Sequence, residues 1–184
     1  MEVRMLSNEG YDELLKKIGE EFPDFKVVKK SESSLMKAID KFLKLVSFGK
    51  MTTFMDSFIT TIGTTVYVPD SWGSRSSSSK AITMRHERVH MRQARDWGRI
   101  AFSFLYLFFP LPFILAYFRM KFEKEAYEES LRAAHEYYGT TLFTQALKDD
   151  VVQHFISAEY MWMWPWKKSV EEWYDGVVKG VTKK

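Results

Sequence analysis

The sequence predicts an α+β fold, mostly helical, with one small β-hairpin set just before a long helix. Three observations predict it. Apolar residues recur at helical spacing through most of the chain. One run, Phe58 to Val68, is instead dominated by β-branched and aromatic residues. The stretch from Lys80 to Trp97 that follows is helical in character and contains no proline. A length of 184 residues suits a single domain with a sizeable core. Its expected parts are a helical portion (1–50), the hairpin and long helix (58–97), an apolar segment (100–118) and a C-terminal helical portion (119–184).

The elements follow in order. Asn8 to Glu21 is predicted as an amphipathic helix: Tyr11, Leu14, Leu15 and Ile18 share a face, Asn8 is the expected N-cap, and Pro23 stops it. Phe25 to Val28 is a candidate strand. Ser31 to Leu45 is a second predicted helix, with Leu35, Ala38, Ile39, Phe42 and Leu45 as its expected core face. Gly63 is placed to turn the chain between two strands within Phe58–Val68, and Pro69 closes the second of them at an expected sheet edge. Asp70 to Lys80, with its serine run Ser76–Ser79, reads as a flexible linker, and Ser79 as the cap of the helix Lys80–Trp97.

Ile100 to Phe118 carries no charge, which by length makes it a membrane-span candidate, with Arg95 and Arg99 before it and Arg119 and Lys121 after it. Pro110 and Pro112 divide it, so the expectation is a helix–turn–helix in the core or a hairpin touching a membrane or partner. A helix beginning near Arg119 is expected to end at Tyr138-Gly139. Shorter helices follow at Thr141–Lys148, Val151–Trp162 and Ser169–Val181. The aromatic segment Met161 to Trp166 reads as packing around a turn, or as a hydrophobic contact surface.

Composition narrows the chemistry. The net charge is +3 and the basic residues are scattered, which gives no argument for nucleic acid. There is no cysteine, so disulfides and thiolate metal sites are excluded and any metal must be held by His, Asp or Glu. Met1 to Gly10 lacks an apolar run, which makes a cytoplasmic start the default expectation and export by a signal-free route the alternative.

Within the long helix lies His86-Glu87-Arg88-Val89-His90. Two histidines four apart stand one turn above the other on one helix face, so both imidazoles can reach one ion. The adjacent Glu87 can reach a water there, the arrangement of zinc peptidase sites. Such a site takes a third protein ligand. Glu123 shares its helical face with Ala126, Tyr127, Ser130 and Ala134, whereas Glu125 lies among Lys121, Glu128, Glu129 and Arg132, so phase favours Glu123 and leaves Glu125 as the alternative. Asp96 is a rival, at the position a third ligand takes when a glycine turn follows the motif, but Gln93 stands where that glycine would be. If a residue beyond Phe118 completes the site, the apolar segment must return to the side it left.

His-Glu-x-x-His followed at a distance by Glu123-Lys-Glu-Ala126 resembles the gluzincin branch of zincin-like zinc metallopeptidases, over about Thr60 to Ala134. The resemblance implies a zincin-like fold, Zn²⁺ as cofactor, Glu123 as third ligand and hydrolysis of peptide bonds in a peptide or protein substrate. The sequence departs from the family at Tyr127, where an Asp is expected, which transfers the support of the histidines to Asp96, Asp149 or Asp150 as candidates. Glu87 is the expected general base, Tyr160 and His154 are candidate donors to the oxyanion, and Val66-Tyr67-Val68 is a candidate edge strand for an extended substrate. The rival reading is a zincin-like binding or structural module without turnover, docked to a membrane or partner through 100–118. No residue pattern speaks to oligomeric state.

Overall fold

A computed structural model describes residues 5–50, 52–98, 101–102, 115–157 and 163–183. The first helix, α1, spans Asn8–Glu21. Its N-cap is Ser7 rather than Asn8: the Ser7 hydroxyl accepts from the Gly10 amide, and the Asn8 carboxamide accepts instead from Ser77. Ile18 and Phe22 are buried, with Tyr11, Leu14 and Leu15 packed beside them, as the spacing predicts.

Three strands form one sheet in the order β1-β3-β2: β1 is Lys26–Lys29, β2 is Thr60–Ile62 and β3 is Thr65–Val68. The hairpin β2–β3 pairs Ile62 with Thr65, leaving Gly63 and Thr64 as a two-residue loop. Gly63 adopts φ +62°, as tight hairpin turns require. β1 lies parallel to β3, Val27 opposite Val66. This makes β3 the central strand, which corrects the expectation of an edge at Val66-Tyr67-Val68. Val66 and Val68 are buried, and Pro69 is tolerated because it falls just after the strand, where no ladder bond needs its missing N–H.

The helix α2, Ser34–Val46, is capped by Ser33 and preceded by a short 3-10 turn, Lys30–Glu32. Its predicted core face is turned outward: Leu35, Phe42 and Leu45 are exposed, while Met36 and Asp40 point inward. Just ahead of α2, the Lys30 ammonium is buried, donates to the Phe54 carbonyl at 2.7 Å and lies over the Phe54 ring. Burial holds its pKa down, to about 8, while the charges of Asp40 and Asp56 oppose that fall. Asp40, on the inner face of α2, is thus one of the two carboxylates whose charge Lys30 feels.

The central helix α3 runs Ser77–Trp97, longer than predicted at its start and capped by Ser76 rather than Ser79. The serine run is therefore structure, not linker. Ser78 is buried and accepts from the Leu6 amide at 2.9 Å, and Thr83 Oγ1 donates to the Ser79 carbonyl. Glu21, at the end of α1, is gripped by Arg88, Arg92 and Arg95 of α3. Gly98, at φ +81°, ends α3. The apolar segment expected at 100–118 lies mostly outside the described residues; Leu115 onward belongs to α4, Leu115–Tyr138, which Gly139 terminates at φ +70°. Two short helices predicted after it are one, α5, Gln145–Ile156, preceded by a 3-10 turn at Thr140–Leu142. The last, α6, is Lys167–Thr182. None of the described helices is long and apolar enough to cross a membrane.

The chain is mostly helical with a small three-stranded sheet. Among the described residues the apolar core has two parts. One joins α1, the sheet and α3 through Ile18, Phe22, Val66, Met84 and Met91. The other joins α4, α5 and α6 through Leu131, Val152, Phe155, Val170 and Tyr174. Met163 and half-buried Trp164 belong to the second part, so the described end of the aromatic segment packs inward, while Trp166 is exposed. Helices α3 and α4 meet between the two cores. Arg85 donates to Glu129 at 2.6 Å and also pairs with Glu136, and Ala126 is fully buried, which lets the helices approach closely.

Candidate metal centre

The facing residues of α3 and α4 repeat at helical spacing: His86, His90 and Gln93 on one, Glu123, Tyr127 and Ser130 on the other. Their tips converge. His86 Nε2 lies 3.1 Å from His90 Nε2, 3.5 Å from one Glu123 oxygen, and His90 Nε2 lies 3.7 Å from the other. Donor atoms about 2.0–2.1 Å from a tetrahedral ion stand about 3.3 Å apart, so these separations are close to the edges of such a tetrahedron. Among the described residues, this is the group of three His, Asp or Glu side chains that could hold a metal ion. Glu123 and His90 are buried and His86 is only slightly exposed.

The tautomers follow from the hydrogen bonds. Gln93 Nε2 donates to the Phe122 carbonyl at 3.1 Å and to Glu125 at 2.8 Å, two groups that can only accept. The Gln93 amide is thereby oriented, and its Oε1 faces His90 Nδ1 at 2.9 Å, so that nitrogen carries the hydrogen. Ser130 donates its hydroxyl hydrogen to the Ala126 carbonyl at 3.1 Å and must accept from His86 Nδ1, 3.0 Å away. Both rings thus turn an Nε2 lone pair toward the same point, beside a carboxylate. Two lone pairs 3.1 Å apart repel unless a cation or a proton lies between them. The electrostatics agree. Burial lowers the His86 pKa, but the hydrogen bond to Glu123 and the charges of Glu87 and Glu123 outweigh it, and the net direction is upward. The site draws positive charge.

Glu87 is buried beside this cluster. The Thr61 hydroxyl, on β2, donates to Glu87 Oε2 at 2.7 Å, which fixes the carboxylate against the sheet. Tyr127 places its ring edge-to-face against His86, with centroids 5.0 Å apart, and against Phe155 on its far side.

The structure brings together His86, Glu87, His90 and Glu123. It separates the rest. Glu125 is exposed apart from its bond to Gln93, and Asp96 is exposed and paired with Arg95 because α3 continues straight past it. Asp96, Asp149 and Asp150 do not support the histidines: Gln93 and Ser130 occupy both Nδ1 positions, Asp149 accepts from Gln145, and the Asp150 carbonyl faces His154. His154 is not part of the ligand group: its Nδ1 faces the Asp150 carbonyl at 2.7 Å and its ring packs 5.7 Å from that of Tyr127. Tyr160 falls outside the described residues. His135 stacks on Phe143, a packing role. Val66, Tyr67 and Val68 are on the central strand, and the strand that touches Glu87 is β2.

Comparison with known protein families, curated proteins and solved structures finds no match. The residues themselves therefore carry the functional reading. Sequence reasoning missed Gln93, Ser130 and Thr61 as parts of the site. Two of them were signalled by phase, Gln93 seven residues after His86 and Ser130 seven after Glu123, while Thr61 is brought in only by the sheet. A cleft of about 360 Å³ lies between the end of α1, the hairpin loop and the last turns of α3, lined by Phe22, Gly63, Thr64, Met91 and Arg95; no metal-centre residue lines it.

Proposed function

We propose that this chain is a zinc-dependent peptidase of the gluzincin type, with His86, His90 and Glu123 as metal ligands and Glu87 as general base. The observation that carries the reading is the convergence of two Nε2 lone pairs and one carboxylate, with a second, separately anchored carboxylate alongside. The donor set of two imidazoles and a carboxylate without thiolate suits zinc, and three protein ligands leave a position open for chemistry. Zinc in such a site supplies Lewis acidity, polarising a carbonyl and lowering the pKa of water toward about 7.

The chain's own residues do the rest. Gln93 and Ser130 hold the two imidazoles in the ligating tautomer. Thr61 pins Glu87 Oε2, leaving Oε1 to take a proton from the attacking water and deliver it to the departing amine. Tyr127 and Phe155 cover the His86 side with apolar surface, which keeps bulk water out. The strand β2 pairs with β3 along one edge only among the described residues, and Thr61 ties it to Glu87, so β2 replaces Val66–Val68 as the strand onto which an extended peptide would add.

The test joins metal content to turnover. Purified protein should carry about one zinc per chain, cleave peptides from a mixed library, and lose cleavage at least a hundredfold in Glu87→Gln while keeping the zinc. Stoichiometric zinc with no hydrolysis of any peptide would instead favour the module without turnover.

A further inference from the structure

The outer surface of α2 is the second feature of this molecule built for contact. Leu35, Ala38, Phe42 and Leu45 form one stripe along the helix, and Phe48 follows just past its end. Phe42, Leu45 and Phe48 are 61, 75 and 92 % exposed. A second stripe, Lys37, Lys41 and Lys44, runs beside the first, also exposed, and Lys50 follows at the end. The one acidic residue of the helix, Asp40, is turned inward and hydrogen-bonded to Lys44 at 2.7 Å. With four lysines and one aspartate, residues 34–50 hold a net charge of +3, equal to that of the whole chain, so the remainder is formally neutral.

The end of the helix is shaped for the same purpose. Phe48 adopts φ +52°, a left-handed conformation that bulky side chains rarely adopt, and the Gly49 amide closes the helix on the Lys44 carbonyl at 2.7 Å. A glycine at position 48 would relieve that strain, yet the chain spends an aromatic there and leaves it in solvent.

We propose that α2 and Phe48 form a docking surface for an anionic lipid bilayer, the helix lying in the plane of the interface. Its apolar stripe enters the headgroup–acyl boundary, and the lysine row meets anionic headgroups alongside. The chemistry favours this occupant over others. Two copies joined through the stripe would bring their lysine rows together. Nucleic acid would leave Phe42, Leu45 and Phe48 uncompensated. The surface is a convex helix flank rather than a groove for a peptide. The proposal does not depend on the metal centre: none of the residues of α2 or Phe48 belongs to the His86, His90 and Glu123 group.

Full-length protein is mixed with sedimentable vesicles of phosphatidylcholine alone or with about a third phosphatidylserine, at low and at high salt. Binding is expected to the anionic vesicles, at least tenfold weaker to the neutral ones, and weakened by salt. The triple variant Phe42→Ser, Leu45→Ser, Phe48→Ser should lose at least tenfold in binding while keeping the wild-type circular dichroism and metal content. In a separate variant, Phe48→Trp, indole fluorescence should shift to the blue only with anionic vesicles. Failure of the wild type to bind anionic vesicles would overturn the proposal, as would equal binding by the triple variant. Wild-type dimerisation that the triple variant abolishes, with no vesicle binding, would assign the surface to a second copy of the chain.

Discussion

The hydroxyl of Thr61 donates to Oε2 of Glu87 across 2.7 Å, tying the proposed general base on α3 to the hairpin strand β2. That bond joins the sheet to the candidate metal centre and makes the Glu87 carboxylate a positioned group rather than a mobile one. Thr61→Val keeps the shape of the side chain and removes the donor. A positioning hydrogen bond of this kind contributes about 1–1.5 kcal/mol, so kcat/KM for peptide hydrolysis is expected to fall about tenfold, with zinc content unchanged. Steady-state kinetics checks it; an unaltered kcat/KM would mean that the bond does not matter to the chemistry.

Gln93 and Ser130 each fix one imidazole by its Nδ1 hydrogen. Loss of such outer support costs about 10- to 100-fold in metal affinity. Gln93→Leu and Ser130→Ala are each expected to weaken zinc by that amount in competition with a chromophoric chelator. Gln93→Leu also removes the donor to the Phe122 carbonyl and to Glu125; that carbonyl keeps its bond within α4, so the added destabilisation is about 1 kcal/mol. Ser130→Ala, whose partner Ala126 carbonyl is already bonded within its helix, should unfold closer to wild type. Equal metal affinity in all three proteins would remove the tautomer argument.

Much of this was readable in order of range. The periodicity of Tyr11, Leu14 and Ile18 predicted α1, and the β-branched run with Gly63 predicted the hairpin, because both signals are local. Helical phase favoured Glu123 over Glu125 without closing the choice, and it is Glu123 that lies with His86 and His90. What escaped depended on distant partners. The place of β3 at the centre of the sheet is set by β1, far back in the chain, and no local pattern near Val66 reveals it. The orientation of α2 escaped as well: Met36 and Asp40 face inward, while Leu35, Phe42 and Leu45, the stripe that pattern alone assigns to the core, are exposed. The polar support of the histidines follows the same rule: Gln93 and Ser130 are ordinary residues until α3 and α4 are side by side.

The proposed metal centre also predicts a stability effect. Without a cation, two inward lone pairs and the Glu123 carboxylate share one small, mostly buried volume. An ion that binds only the folded chain stabilises it by about 4 kcal/mol at a thousandfold excess over its Kd. Removing metal with a strong chelator is therefore expected to lower the melting temperature by several degrees, and zinc should restore it. In Glu123→Ala the chelator should have little further effect. A melting temperature indifferent to chelator and zinc in the wild type would speak against a metal at this site.

Glu21 gives the fold its clearest acid sensitivity. Arg92 donates to both of its oxygens, at 2.6 and 2.8 Å, Arg88 donates at 2.6 Å and Arg95 at 3.4 Å. The hydrogen bond from Arg92 is the largest cause, and with Arg88 it outweighs partial burial and holds the carboxyl at about 2, against an ordinary value of 4.5. A carboxyl with a lowered folded pKa contributes stability that is complete above its unfolded pKa and is lost as pH falls through the folded one. The window here is from about 4.5 down to about 2. The full shift corresponds to about 3 kcal/mol, but Arg92 and Arg95 are half in solvent, so screening reduces the expected contribution to about 1–2 kcal/mol. Glu21→Gln should therefore be less stable than wild type by about that amount at pH 7, with the gap closing across the same window. Urea unfolding of both proteins at a series of pH values measures the gap directly. A difference that persists undiminished near pH 2 would show that Glu21 holds α1 to α3 through its shape rather than through its charge.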